Sequence, residues 1–234
     1  IGSHYGLVTD GIFQTDEDVA NHVNANGDPV DQPGAAPGRI KFVDTNNDGL
    51  ISAADRDIIG SYHPDFTGGL NLNFTWKNFD LNAFLFASVG NDIYDVSKEF
   101  TVFRLFSTNV RQDRLTDSWS PDKSASENAS AKWPIINEDD QYSSTYSDWY
   151  VSDGSYLRLR NLQLGYNLPA QSWFSNMRVY VQAQNLFTIT GYDGLDPALP
   201  SQDRSNAAGN TSDQNNGIDR GTYPSNRIFT LGIN

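Results

Sequence analysis

The sequence lacks cysteine entirely, and only three of its 234 residues are histidine. The absence of cysteine excludes thiolate metal sites, cysteine nucleophiles and disulfide bonds. His4, His22 and His63 are far apart in the sequence, so neither a zinc site nor a Ser-His-Asp triad is supported. We expect each histidine at the surface or in a loop. Acidic residues are too numerous to single out a catalytic pair, so we assign no catalytic residues and predict no enzymatic activity.

Long apolar segments are also absent, because no run of ~20 apolar residues occurs, and this excludes a transmembrane helix. No signal peptide is present, and the chain begins with Ile1 rather than Met, which indicates a processed or cut start. The composition is polar, with 38% hydrophobic residues and a mean hydropathy of -0.53, but 12% aromatic residues argue against disorder. A formal net charge of -13 predicts that the chain does not bind nucleic acid.

Residues 66–89 carry the clearest pattern in the sequence, FTGGLNLNFTWKNFDLNAFLFASV. Apolar and polar residues alternate with a period of two on both sides of Lys77-Asn78. Such alternation places successive side chains on opposite faces of a strand. We therefore predict a β-hairpin with one apolar face and one face rich in Asn, Thr and Ser, to which Phe84 and Phe86 also belong.

Three further strands are predicted at 155–168, 177–188 and 227–234, where apolar and polar residues alternate in the same way. In the first of them the alternation changes phase near Arg160-Asn161. A β-bulge at this point would reconcile the two phases, or the strand leaves the apolar band there.

The connections around the five predicted strands alternate between short and long. Residues 77–78 and 169–176 are short, whereas 90–154 and 189–226 are long, and the long segment 1–65 precedes the first strand. Alternate connections of an antiparallel meander lie at the same end, so one end carries tight turns and the other large loops. Outer-membrane β-barrels have this asymmetry, with short periplasmic turns and long extracellular loops. Five strands cannot close such a barrel, and an open edge cannot face lipid, so further strands are required from the same or a companion chain.

The distribution of charge agrees with a barrel. Asp80 is the only acidic residue in the five strands, and the polar faces carry Asn, Thr, Gln and Ser, with Arg158, Arg160 and Arg178 near strand ends. Hydrocarbon excludes exposed charge, whereas a barrel interior is wet. A soluble β-sandwich also keeps charge in its loops and remains the alternative fold, although its outward face usually carries Lys and Glu.

Several segments, in this order, resemble the C-terminal part of SusC/RagA-type TonB-dependent outer-membrane transporters. They are GLVTDGIF at 6–13, PGRIKFVDTNNDGLISAADRDIIGSYHPDFTGGLNLNFTWKNFDLNAFLFASVGNDIYD at 37–95, DGSYLRLRNLQLGYNLP at 153–169, VYVQAQNLFTITGYDGLDPALP at 179–200 and YPSNRIFTLGIN at 223–234. The resemblance covers nearly the whole chain, and 97–152 is its least diagnostic part.

This resemblance implies an all-β fold, the last five antiparallel strands of a 22-stranded transmembrane β-barrel with long extracellular loops, incomplete as a stand-alone fold. It implies uptake of glycans or peptides across the outer membrane of a Gram-negative bacterium, with a SusD-type lipoprotein as lid. The plug domain, the rest of the barrel and the segment that contacts the TonB system would lie on the same or a companion chain. The barrel strands would contact lipid, and the C-terminus would be periplasmic. Family members usually end on an aromatic residue, whereas this sequence ends at Asn234.

The sequence divides accordingly into six segments. These are an extracellular segment with a calcium-type loop at 1–65, a barrel hairpin at 66–89, a long extracellular loop at 90–154, a second barrel hairpin at 155–188, an extracellular loop at 189–226 and the final barrel strand at 227–234.

DTNNDGLISAAD at 44–55 matches the calcium-loop pattern D-x-[DN]-x-[DN]-G in its first half. Calcium takes six to eight oxygen ligands, and this spacing wraps side-chain and carbonyl oxygens around one centre. The predicted ligands are Asp44, Asn46, Asp48, Leu50 through its carbonyl, Ser52 and Asp55.

The surroundings of this loop predict a structural role for Ca²⁺. The flanks lack an EF-hand helix pair: RIKFV before the loop is extended, and AADRDII after it forms a short helical turn. Ile51 is expected to anchor the loop to packed neighbours, so that one ion staples a long extracellular loop. Asp55 stands where EF-hands carry Glu, which shortens bidentate reach. An Asx-rich turn without metal is the alternative.

The segment 90–154 is rich in aromatic residues, namely Trp119, Trp133, Tyr142, Tyr146, Trp149 and Tyr150. Such rings either stack on sugars or pack within the loop, so the substrate-binding residues stay unassigned. GYDGLDP at 191–197 is expected to form a turn. The function hypotheses are the barrel portion of a nutrient importer and, alternatively, a secreted soluble calcium-stabilised β-sandwich that binds carbohydrate. A continuous band of exposed aliphatic residues would favour the barrel.

Overall fold

A computed structural model describes residues 2–103, 109–137, 140, 142–172, 176–199 and 216–234. The strands are β1 (Ser3–Leu7), β2 (Thr9–Ile12), β3 (Ile40–Phe42), β4 (Arg56–Ser61), β5 (Phe66–Trp76), β6 (Phe79–Val89), β7 (Asp92–Asp95), β8 (Val151–Asp153), β9 (Tyr156–Leu168), β10 (Met177–Thr190), β11 (Ile218–Asp219) and β12 (Ile228–Ile233). The helices are α1 (Asp16–Ala20), α2 (Lys98–Thr101), α3 (Gln112–Thr116) and α4 (Ala125–Ala129), with 3₁₀ turns at Ala53–Asp55 and Asp148–Tyr150.

The described residues form two compact units. One unit, which we call the loop unit, comes from Ile1–Ser61, Tyr94–Val151 and Ile218–Arg220. The other, the sheet unit, comes from Tyr62–Ile93, Ser152–Gly217 and Gly221–Asn234.

The sheet unit contains one antiparallel sheet of five strands in the order β12-β10-β9-β6-β5. These are the five strands that period-two alternation predicted, and their ends differ from the predicted ends by at most two residues. The fold prediction of five antiparallel strands is therefore confirmed. The five strands follow one another in the sheet in the same order as in the sequence, except that β12 lies beside β10 at one edge and β5 at the other edge begins the series. Strands β6 and β9 pair directly although a long segment lies between them in the sequence.

The turn between β5 and β6 consists of Lys77 and Asn78 only. Lys77 adopts a left-handed backbone conformation with φ of 54°. Two-residue hairpin turns favour positive φ because their twist then matches that of the strands. The Lys77 ammonium lies 4.9 Å from the centre of the Trp76 ring, so the side chain covers the aromatic residue at the strand end.

The predicted bulge lies at Arg160. Against β6, Phe84 pairs with Asn161 and Leu85 pairs with Leu159, so Arg160 is the extra residue. The sheet carries a second irregularity, not predicted from the sequence, where β10 passes the same point.

In β10, Asn185 and Leu186 lie between the paired residues Gln184 and Phe187, opposite Arg160 alone. Asn185 has a φ of 50°, and its side-chain amide donates to the carbonyl of Asn226 at 3.1 Å. Asn tolerates the left-handed region better than most residues, so this position relieves the register difference between β9 and β10.

The loop unit is built around a small apolar core of its own. Its buried members are Leu7, Ile40, Phe42 and Ile51, with Val30, Phe103 and Trp149 packed against them. The same unit contains the antiparallel pairs β1–β4 and β2–β3 and the parallel pair β7–β11. The segments predicted as separate connections at 1–65 and 90–154 thus share one core, since Phe103 and Trp149 of the second pack against residues of the first.

Two expectations for this unit hold only in part. The predicted short helical turn forms over Ala53–Asp55, and the chain then continues as strand β4. His22 lies in a loop, as expected, but it is buried, and His4 is buried within strand β1. The His4 ring lies 5.6 Å from that of Tyr94, and His22 meets Phe13 edge-on at 5.3 Å, so both histidines serve as packing residues. Burial, followed by the Lys41 charge, lowers the pKa of His22.

Candidate functional site

One face of the five-stranded sheet is apolar across every strand. Three rows of paired residues cross it without a break: Trp76–Phe79–Tyr166–Val179–Ile233, Phe74–Leu81–Leu164–Val181–Leu231 and Leu72–Ala83–Leu162–Ala183–Phe229. Phe74 is 63% exposed and Leu231 is 72% exposed, so no protein layer covers this face within the described chain. A β-sandwich would bury such a face, and water alone would make it an aggregation site. The geometry therefore favours contact with lipid.

An aromatic cluster marks the end of this face that lies beside the two-residue turn. Trp76, Phe79 and Tyr166 form one edge of the apolar band, and the rings of Phe79 and Tyr166 are 4.7 Å apart. Aromatic girdles flank the lipid-facing band of outer-membrane barrels, where ring and headgroup meet. This end of the sheet has the composition of a membrane interface.

The opposite face is polar and carries a chain of side-chain hydrogen bonds that crosses four strands. The Asn82 amide donates to Asn73, Asn161 donates to Asn82 at 3.3 Å, Gln182 to Asn161 at 2.8 Å, Gln163 to Gln182 at 3.3 Å and Arg178 to Gln163 at 3.1 Å. Amide side chains can extend such a chain because each both donates and accepts. The sheet therefore separates an apolar environment from a wet one.

Arg158 and Asp196 form a buried ion pair on the polar face. Their side chains are only 6% and 8% exposed, and Nη2 lies 2.5 Å from Oδ1. Arg158 also donates to the hydroxyl of Thr188 at 2.8 Å and to that of Ser225 at 3.1 Å. Arg158 thereby joins β9 to β10, to the loop after β10 and to the segment before β12.

The carboxylate of Asp196 also accepts backbone N–H groups from Ala198 and Ser225, at 2.9 and 2.8 Å. Burial alone would raise the pKa of Asp196, but the bonds from Arg158 and these amides outweigh it and lower the pKa. The turn predicted at 191–197 thus contains a structural acid, which the sequence pattern did not distinguish from its neighbour Asp193.

Arg160, the bulged residue, also projects from the polar face. Its guanidinium carbon lies 3.8 Å from the centre of the Phe86 ring, and its side chain is exposed. The Phe86 ring in turn lies 6.0 Å from that of Tyr156. Tyr156 lines a cavity of about 270 Å³ within the sheet unit, and Ser88 and Asn91 contribute polar groups to the same cavity.

The predicted calcium loop is closed by hydrogen bonds from its own backbone. Asp44 accepts from the N–H groups of Asp48 and Gly49, at 3.2 and 2.8 Å. Asn46 accepts from Asp48 at 2.9 Å, and Asp48 accepts from Leu50 at 2.9 Å. Burial would raise the pKa of Asp44, but the Gly49 N–H, the Asn24 amide and the Asp48 N–H outweigh it and lower the pKa. In the first half of the loop, the side chains of Asp44, Asn46 and Asp48 therefore all accept backbone N–H groups of the loop itself.

The second half of the loop is held by hydrogen bonds to Asp55 and Ser52. Asp55 is fully buried, and its carboxylate accepts from the N–H groups of Thr45 at 3.1 Å and Ser52 at 2.8 Å. The Ser52 hydroxyl accepts from Ala54, so these two side chains cap the 3₁₀ turn. Ile51 is buried in the core of the loop unit, as expected. Among the residues that the structure describes, no group of three or more His, Asp or Glu side chains is arranged to hold a metal ion.

The aromatic residues of 90–154 divide between packing and exposure. Trp119, Trp133 and Tyr150 are buried, and Tyr150 stacks on Tyr94 with ring centres 5.4 Å apart. These three rings therefore have little exposed surface on which a sugar could stack. Tyr142 and Tyr146 are 42% and 52% exposed, so their rings are accessible and these two residues remain candidates for substrate contact.

Within the described ranges, no helix combines the length and the apolar character needed to cross a membrane.

An antiparallel sheet whose apolar face is exposed and whose other face is polar is the arrangement of a portion of an outer-membrane β-barrel, and this is the class of the protein. No family model matches the chain. The chain is 38% identical to TonB-dependent receptor P3 of Formosa agariphila, over all of its own length and 22% of the relative's. It is 30% identical to TonB-dependent receptor SusC of Bacteroides thetaiotaomicron, over 89% of its own length and 18% of the relative's.

A solved structure of the RagAB peptide importer in the "closed-closed" state matches 99% of the chain and 22% of that protein, with a TM-score of 0.66 and 25% identity. The chain belongs to the SusC/RagA type of TonB-dependent transporters, as the sequence motifs predicted. It spans about a fifth of the length of the relatives that it matches. TonB-dependent receptors of this type are outer-membrane proteins, and the relatives bear the names of receptors rather than enzymes.

Proposed function

We propose that this chain is a barrel portion of a TonB-dependent importer that takes up glycans or peptides through the outer membrane. The observation that carries the proposal is the two-faced sheet. Its apolar rows suit lipid, and its amide-lined face suits a water-filled interior through which polar cargo passes. The similar solved structure is that of a peptide importer, which supports peptides as one cargo class.

The orientation follows from the turn lengths. The two-residue turn at Lys77-Asn78 and the end of β12 would face the periplasm, and the long connections would be extracellular. A SusD-type lipoprotein would cover the barrel, and a plug domain and TonB-contacting segment would come from the remainder of the protein. The name RagAB and the SusC relative support this arrangement of partners.

Uptake measurements in the native bacterium test the proposal. A strain that lacks the transporter gene and the same strain with the gene restored would each be given fluorescent oligosaccharides and, separately, fluorescent oligopeptides. We expect one of the two cargo classes to enter only the complemented strain, and to stop entering when a protonophore collapses the proton gradient. Equal uptake of both classes with and without the gene would contradict the proposed function.

The loop 44–55 is proposed as a calcium staple on the outside of the cell. The side-chain oxygens of Asp44, Asn46 and Asp48 accept backbone N–H groups within the loop, which fixes these side chains in a tight turn and supports this proposal. Asp55 accepts backbone N–H groups as Asp44 does, and its carboxylate, the carbonyl of Leu50 and Ser52 would supply the remaining ligands. The role is structural, because the loop is anchored through Ile51 to a core rather than to a movable helix pair.

A further inference from the structure

The polar face of the sheet carries three arginines, and two of them have a carboxylate partner. Arg158 is buried against Asp196, and Arg178 pairs with Asp80. Arg160 is different, since within the described part of the chain it makes neither a hydrogen bond nor an ion pair. Acids are not scarce in this protein, which has 29 Asp and Glu against 16 Lys and Arg.

The backbone around Arg160 is arranged to present this side chain. In regular alternation Arg160 and Asn161 would face opposite sides of the sheet, and the bulge places both on the polar side. The bulge is accompanied by a distortion of β10, where Asn185 adopts a positive φ opposite Arg160. Bulges that re-aim a side chain are common beside functional sites.

Phe86 holds the guanidinium in place without using its hydrogen-bond donors. The guanidinium lies over the ring, with its central carbon 3.8 Å from the ring centre. Stacking leaves the N–H groups at the guanidinium edge free, and these match both oxygens of a carboxylate. Gly69 pairs with Phe86 across β5 and β6 and adds no side chain beside that ring.

We propose that Arg160 binds a carboxylate of the imported cargo, so that the transporter prefers acidic oligomers to neutral ones. This inference rests on the proposed function and concerns its cargo. The neighbouring cavity lined by Tyr156 and Asn91 provides room for the unit that carries the acid. A uronic acid in a glycan and a Glu or Asp in a peptide share this chemistry.

The test uses the full transporter purified with its partner lipoprotein, and two matched pairs of probes. One pair is an oligopeptide of alternating Ala and Glu and its Ala and Gln counterpart, and the other is oligogalacturonate and its methyl ester. Binding is measured by calorimetry for wild type, Arg160→Gln, Arg160→Lys and Arg220→Gln. Arg220 is an exposed arginine of the loop unit, so its variant loses the same charge elsewhere.

We expect wild type to favour the acidic member of one pair, which identifies the carboxylate as glycan or peptide. Arg160→Gln should weaken binding of that acidic probe about tenfold and leave the neutral probe unchanged, because a charge-assisted bidentate contact is lost. Arg160→Lys should show a smaller loss, since it keeps the charge without the planar fork. Arg220→Gln should match wild type.

Two results would overturn the inference while leaving the proposed function intact. One is equal binding of acidic and neutral probes by wild type. The other is an Arg160→Gln variant that binds the acidic and the neutral probe equally weakly, or one that melts at a lower temperature and still prefers the acidic probe. Either behaviour would mean that Arg160 pairs with a carboxylate elsewhere in the transporter. If wild type bound none of the four probes, the inference and the assigned cargo classes would both fail.

Discussion

Arg178 of β10 forms an ion pair with Asp80 of β6, and the two side chains meet over Gly165 of the intervening strand β9. Nε lies 3.0 Å from Oδ1, and Nη2 lies 2.5 Å from Oδ2. A Cβ on Gly165 would come within 2.5 to 2.6 Å of the guanidinium nitrogens and of Oδ1. The absence of a side chain in the middle strand is therefore what allows an ion pair to span three strands.

Gly165→Ala should accordingly break this bridge. The two charged side chains are only 23% and 27% exposed, and we expect a loss of about 1–3 kcal/mol in the free energy of unfolding. Urea unfolding of the full protein in detergent measures it. Gly191→Ala is the control, because nothing lies within 4 Å of a Cβ at that position. Equal stability of the two variants would refute the steric role of Gly165.

A lysine on the apolar face should prevent assembly in the membrane. Leu231 lies in the middle row of that face and is 72% exposed, while its neighbour Thr230 faces the polar side. Leu231→Lys is expected to cost about 2–4 kcal/mol, because the charge would enter hydrocarbon, and Thr230→Lys should cost far less. The folded fraction of each variant in isolated outer membranes, read from heat-modifiable gel mobility, compares them. Similar folded fractions would argue against a lipid-facing role for this face.

The Arg158–Asp196 pair should weaken in acid. The pKa of Asp196 lies below the ordinary carboxyl value of ~3.9, so its stabilisation is fully present above that pH and is lost as pH falls through the lower, folded value. Asp196→Asn at neutral pH should imitate this loss. The amide groups of Ala198 and Ser225, which donate to Asp196, should then exchange hydrogen faster by a factor on the order of 100, equivalent to about 3 kcal/mol for a broken buried pair.

Asp193→Asn serves as the control for that experiment, since Asp193 is an exposed acid of the same loop. Unchanged exchange in Asp196→Asn, or the same increase in both variants, would show that the ion pair does not hold the loop.

Chelation tests the proposed calcium staple. If an ion joins Asp44, Asn46 and Asp48, EDTA should raise the rate of proteolysis between residues 40 and 60 of the purified complex. Added Ca²⁺ should reverse the effect and Mg²⁺ should not, because Mg²⁺ demands a smaller octahedral site. The hydrogen bonds that Asp55 accepts from Thr45 and Ser52 do not need a metal. Unchanged cleavage with EDTA would therefore show that these bonds alone keep the loop ordered.

The strands and the two faces of the sheet were predictable because side-chain alternation is a local property of an extended backbone. Leu231 and Phe229 of β12, for example, face the same side by parity alone, before the pairing of that strand is known. The bulge at Arg160 was equally visible as a change of phase. The compensating irregularity at Asn185 was not, because β10 keeps its own alternation and differs only in its register against β9.

The candidate ligands of the acidic loop were predictable from spacing, but the capping role of Asp55 was not, since the same residue types serve both purposes. The pairing of Arg158 with Asp196 joins residues 38 positions apart, and nothing in the local sequence distinguishes Asp196 from Asp193. The burial of His4 and His22 likewise depends on rings contributed by Tyr94 and Phe13.

By itself, then, the sequence determined which residues form strands, which side of the sheet each one faces and which family the chain resembles, because periodicity and motifs are read along the chain. Only the tertiary structure decided how distant connections share one core and which charges meet. It paired Arg158 and Arg178 with acids and left Arg160 stacked on Phe86 with no acidic partner among the described residues. That difference arises from contacts between strands, which no pattern along a single strand contains.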